Sequence, residues 1–187
     1  MPTITATPYS HEIYHSVTNP SLHSAITLFQ TKNAMQHINT TIRSCFLSHG
    51  VEKHFTACIL HRHFDLSETE RNIEEADGRA LASSDFTDIR ACSWLFYQGG
   101  MYPYEFKRGG VEGGVMVPPT GFVDEFRGIL EENGLEGVIG LQVYKEGVVG
   151  MERTDHERRV STTRSYPEGA AEVKEPSNAV VASFAFF

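Results

Sequence analysis

Phe55-Thr56-Ala57-Cys58-Ile59-Leu60-His61-Arg62-His63-Phe64-Asp65 is an apolar run rich in strand formers that ends in His-x-His. Side chains two apart on a strand share a face. Alternation therefore groups Phe55, Ala57, Ile59, His61 and His63 on one face, and Thr56, Cys58, Leu60, Arg62 and Phe64 on the other. Apolar groups on both faces predict a central strand. The two imidazoles are expected to emerge together at its C-terminal end, between core and opening.

Upstream, the pattern from Ser24 to Ser48 is helical. Met35, Ile38, Ile42, Cys45, Phe46 and His49 recur at three- and four-residue intervals, and Gly50 supplies the stop. Residues 1–22 read as an extended arm, so the expected domain spans 23–187. Downstream, residues 71–75 suggest a short strand before an acidic loop at Asp77-Gly78.

Residues 91–106 carry the clearest hairpin, two aromatic-rich runs around Gly99-Gly100. That turn would set Trp94 opposite Glu105 and Leu95 opposite Tyr104. Pro103 cannot donate to a ladder, which predicts an edge strand or a bulge. The glycine-rich segment 109–114 lacks the Lys-Ser/Thr ending of a phosphate loop. A second helix opens at Thr120, buries Phe122, Phe126, Ile129 and Leu130, and ends at Asn133-Gly134. Strands are expected at 138–144, 151–154, 159–163 and 179–187, with a loop at 165–178. The expected fold is α+β, a largely antiparallel sheet of six or seven strands with two main helices packed on one face.

The chain has 187 residues, 40% of them hydrophobic, which suits one domain with a sizeable core. A formal charge of −8 and a pI near 5.6 argue against a nucleic-acid partner, whose footprint is a basic face. The basic cluster Arg153 to Arg164 is broken by Asp155, His156 and Glu157 and reads as solvated charge. No apolar run reaches the roughly 20 residues that span a bilayer. A cytoplasmic protein without a membrane partner is expected, and the apolar end of the chain could pair subunits in an oligomer. Cys45, Cys58 and Cys92 form no CxxC pair and read as small buried hydrophobes.

Two co-facial imidazoles make half of a metal site or a proton-transfer pair. Glu105, flanked by Tyr104 and Phe106, is the first choice to complete the set; Glu68, His49 and His156 are the others. The expected site is His61, His63 and Glu105, holding one divalent metal ion or working as general acid and base. Trp94, Phe96 and Tyr104 would wall a substrate pocket, although core packing explains the same aromatics. The functional expectation is a small-molecule enzyme, an isomerase, dehydratase, cyclase or hydrolase. The alternative is a non-catalytic small-molecule-binding or interaction domain with structural histidines.

His61-x-His63 followed by Glu68 resembles the first cupin motif, but Phe55 stands where that motif has glycine and no second motif follows. Ile59-Leu60-His61-Arg62-His63-Phe64-Asp65-Leu66, with Ser93-Trp94-Leu95-Phe96 and Pro103-Tyr104-Glu105-Phe106, is similar to a loose group of uncharacterised fungal proteins. That resemblance covers roughly residues 24–145. It implies a fungal source and brings no activity to carry over.

Overall fold

The run that opens at Phe55 is a strand only as far as Ile59. Leu60 makes the last rung to the β6 side, its amide donating to Val138 O at 2.9 Å, and beyond it the chain turns across the end of the sheet. The computed structural model describes residues 7–109, 117–144, 148–167 and 182–186. Nine strands are present among them: β1 (Phe55–Ile59), β2 (Arg71–Glu74), β3 (Arg79–Ser83), β4 (Ile89–Tyr97), β5 (Gly100–Arg108), β6 (Ile139–Val143), β7 (Val148–Asp155), β8 (Val160–Pro167) and β9 (Ser183–Phe184). They form one sheet in the order β7-β8-β3-β2-β5-β4-β6-β1-β9.

This sheet is mixed, because β2 and β5 run parallel through Ile73↔Phe106 and Glu74↔Lys107. The expectation of a largely antiparallel sheet of six or seven strands is therefore corrected. One missed strand is β3, whose Arg-Ala-Leu-Ala-Ser carries no strand propensity of its own. It forms because Gly78, at φ 80°, turns the chain back so that β3 can pair with both β2 and β8. The sheet also curls. Gln142 of β6 and Ser161 of β8 line one cavity although four strands lie between them. The result is a half-barrel.

The helices correct the second half of the expected fold class. In place of two main helices there are α1 (His11–Val17), α2 (Leu22–Thr31), α3 (Ala34–His37), α4 (Arg43–His49) and α5 (Thr120–Glu132), with a π-helical stretch at Ile38–Ile42. The single helix expected over 24–48 breaks at Asn33, which is left-handed at φ 51°. Ile38-Asn39-Thr40-Thr41-Ile42 is rich in β-branched residues, and Thr40 Oγ1 donates back to Gln36 O at 2.7 Å. Both features favour departure from a regular α-helix. Ile38, Ile42, Cys45 and Phe46 still face the core, whereas Met35 is 44% exposed. Helix α5 follows its expected span, with Phe122, Val123, Phe126 and Leu130 buried.

One apolar cluster lies between the sheet and α2 to α5. It includes Phe46, Phe55, Ala57, Ile59, Trp94, Phe96, Phe122 and Phe126. A second, on the opposite face, holds Tyr14, Cys58, Leu60, Phe64, Leu66, Leu95 and Tyr104. The close approach of β4 and of the Leu60 side chain to β6 explains Gly140, since a Cβ there would lie 2.8 Å from Trp94 O.

Where an extended arm is expected over 1–22, residues 11–17 are helical. Ser10 caps α1 by accepting from the Ile13 amide, and Tyr14 is buried against Tyr104. His11 Nε2 and His15 Nε2 both donate to Leu66 O, at 2.9 and 3.0 Å, and Arg62 Nη1 donates to His15 Nδ1 at 2.6 Å. Burial, assisted by the charges of His11 and Arg62, holds the His15 imidazole below its ordinary value of 6.5. The folded state therefore favours neutral His15. Its contribution is complete above pH 6.5 and is lost as pH falls from there through the folded value. Urea unfolding of the wild type should thus lose more stability on acidification below that range than unfolding of His15→Gln. Equal losses in the two proteins would show that His15 does not contribute.

Candidate functional site

The histidines sit where the chain leaves β1 for β2. These two strands run in opposite directions with β6, β4 and β5 between them, so residues 60–70 must pass over the rim of the half-barrel. Asn19, in the α1–α2 connection, guides the start of that crossing. Its side chain donates to Leu60 O at 3.2 Å and to Gly137 O at 3.1 Å, and its carbonyl accepts from the Arg62 amide at 2.7 Å. His61 pairs with Asn19 in an isolated bridge and donates from Nδ1 to Ile59 O at 3.2 Å. His63 lies one step further on, its ring centroid 4.7 Å from that of His61. Both are buried, at 9% and 6% exposure.

His63 Nε2 meets Glu105 Oε1 at 2.8 Å. The same carboxylate oxygen accepts from Asn72 Nδ2 at 3.1 Å, and Oε2 accepts from Ser93 Oγ at 2.7 Å. Three donors thus converge on one carboxylate, and the hydrogen-bond pattern assigns the Nε2 proton of His63. A carboxylate that holds one imidazole nitrogen fixes the ring's orientation and leaves the other nitrogen as the basic one.

Two irregularities aim Glu105. The hairpin turn is Gln98-Gly99, with φ 48° and 76°, and not the expected Gly99-Gly100. Positive φ at both central residues gives the twist that matches a two-residue hairpin. Tyr97 therefore pairs with Gly100, Leu95 with Tyr102 and Trp94 with Pro103, correcting the expected register. The ladder then shifts twice. Ser93 pairs with Glu105, leaving Tyr104 as an extra residue on β5 and Cys92 as an extra residue on β4. A bulge re-aims side chains and occurs often beside functional sites. Here the bulge on β5 keeps Tyr104 in the cluster around Tyr14 while Glu105 meets Ser93.

Behind this network lies a cavity of about 60 Å³, lined by His63, Asn72, Glu74, Cys92, Glu105, Gln142, Ser161 and Thr163, with Ala80 and Phe106. That volume admits a few waters or the polar end of a small molecule. Asn72 is 2% exposed, and its Oδ1 has no hydrogen-bond partner among the described residues. Such an atom costs about 1–3 kcal/mol unless something in the cavity donates to it. Glu74 is paired with Lys107 Nζ at 2.8 Å. Burial, then the charges of Glu105 and Glu74, push the Cys92 thiol well up. It is therefore a thiol wall and no nucleophile. With two carboxylates in its lining, the cavity suits a neutral or cationic ligand better than an anion.

The expected site residues are divided by the sheet. His61, His63 and Glu105 gather at the rim, with His63 and Glu105 in direct contact. Tyr104 lies on the same side. Trp94 and Phe96 point the other way into the helix-covered core, with ring centroids 6.3 Å from Phe55 and 5.2 Å from Phe126 respectively. They do not line the cavity. Glu68 and His156 are exposed, and His49 joins another group of side chains. Sequence reasoning missed Asn72 and Ser93. The signal available was one small polar residue next to a large apolar one in each strand, Asn72 before Ile73 in β2 and Ser93 before Trp94 in β4.

Compared with family models, curated proteins and solved structures, the chain finds no match. No helix among the described residues is long and apolar enough to cross a membrane.

Proposed function

We propose that the protein is a small-molecule enzyme of the cytoplasm that moves a proton at the rim of the half-barrel. His63 is the general base and acid, Glu105 orients it, and Asn72 and Ser93 hold the carboxylate. The observation that carries this reading is the buried His63–Glu105–Ser93–Asn72 network beside a cavity into which Asn72 brings an unsatisfied acceptor. His61 packs against His63 and restricts its ring, Ala80 and Phe106 contribute the apolar wall, and Tyr104 lies outside the lining, packed on Tyr14. The cavity chemistry favours a small neutral molecule with hydroxyl and carbonyl groups, and the reaction class is enolisation, as in an isomerase or dehydratase. A divalent ion on His61, His63 and Glu105 is the less favoured form, because His63 Nε2 is already engaged as a donor to Glu105. Neither a nucleic acid nor a membrane is part of the proposal.

Glycolaldehyde, dihydroxyacetone and related hydroxycarbonyls incubated with the protein in deuterated buffer test it by proton NMR. The wild type is expected to catalyse exchange at the carbon beside the carbonyl. His63→Ala should lower that rate by about 100-fold or more, and Glu105→Gln by roughly 10-fold or more. Exchange that proceeds equally in all three proteins, or in none, would count against the reading.

A further inference from the structure

On the helix-covered side of the molecule, Cys45, His49 and Glu125 offer Sγ, an imidazole nitrogen and a carboxylate oxygen that all lie within 4.8 Å of one another. The geometry points to a zinc site on these three residues, clipping α4 to α5 and leaving a fourth coordination position toward solvent. It is separate from the rim site and independent of the function proposed there.

Cys45 and His49 are four apart on α4, the spacing that places both on one helix face. Glu125 comes from α5, which packs against α4 through Phe46, Phe122 and Phe126. His49 Nε2 and Glu125 Oε2 are 2.8 Å apart, and the imidazole stands edge-on to Phe122 at 5.8 Å. The thiol is buried at 1% exposure, while the His49 and Glu125 side chains are 26% and 51% exposed. An ion would thus enter from the solvent side and meet the sulfur last. Tetrahedral zinc with ordinary bond lengths holds its ligand atoms about 3.3–3.8 Å apart, so small rotations of these side chains suffice. Thiolate, imidazole and carboxylate together make a donor set that suits zinc and excludes calcium or magnesium. Without metal, burial and the neighbouring Glu125 push the Cys45 thiol up to about 12, so ion binding must expel that proton to solvent. Glu125 in turn exchanges its contact with His49 for the ion.

Chelator-treated full-length protein titrated with Co²⁺ tests the site. One equivalent should give the visible absorption of tetrahedral cobalt with a near-ultraviolet thiolate-to-cobalt band, and should release one proton. Zn²⁺ should abolish both bands. Cys45→Ser should lose the thiolate band. His49→Ala and Glu125→Gln, which change partly exposed side chains and so preserve the fold, should weaken cobalt binding by about 100-fold or more. His63→Ala should leave the spectrum intact, which separates this site from the rim. A spectrum without the thiolate band, no stoichiometric binding, or binding that survives in both His49→Ala and Glu125→Gln would overturn the proposal.

Discussion

Glu105→Ala is expected to lower the unfolding free energy by roughly 2–4 kcal/mol, well beyond a typical surface change. The His63 and Glu105 side chains are only 7% and 16% exposed, so water cannot fully replace the lost contacts. Removing the carboxylate strands donors from His63, Asn72 and Ser93 at once. Glu105→Gln keeps one acceptor oxygen and should cost about half as much, roughly 1–2 kcal/mol. Urea denaturation of the two variants beside the wild type checks the ranking. If both cost less than about 0.5 kcal/mol, the network is solvated and the buried-site account fails.

A larger loss is expected from Phe46→Ala, roughly 3–5 kcal/mol. Phe46 is fully buried where α4, α5 and the final segment meet. Its ring lies edge-on to Phe122 at 4.9 Å and to Phe126 at 5.5 Å, and 4.6 Å from Phe186. Truncation would leave a cavity walled by rings that are themselves held by the sheet, so little collapse can relieve it. The same urea series measures it. A cost below about 2 kcal/mol would mean that this side of the core repacks freely.

Legibility in the sequence followed local signal strength. Helix α5 was readable because Pro118-Pro119 before it, Asn133-Gly134 after it and its apolar stripe agree on the span Thr120–Glu132. Strand β6 was readable from its apolar content, whereas β2 offers only Ile73 as an apolar signal. Strand β3 was not, because Ala80, Leu81 and Ala82 have no intrinsic reason to extend and do so only beside β2 and β8. The parallel β2–β5 pair was equally hidden, since nothing local specifies a long crossing from β1. At the site, the approach of Glu105 to His63 was foreseeable from an acid placed among aromatics. Its exact partners were not, because two bulges around Ser93 and Glu105 break the alternation on which sequence reading depends. The histidines were placed together by strand geometry, yet they belong to the crossing after β1. There Asn19, Ile59 and Glu105 hold them in place of a ladder.

Long-range proton–nitrogen NMR of the histidine rings reports whether Glu105 holds His63 as an oriented base. In the wild type near neutral pH, His63 is expected as a single tautomer with its proton on Nε2, and Glu105→Gln should disturb that pattern while leaving exposed His156 unchanged. A His63 ring that exchanges tautomers as His156 does, with no response to Glu105→Gln, would contradict it.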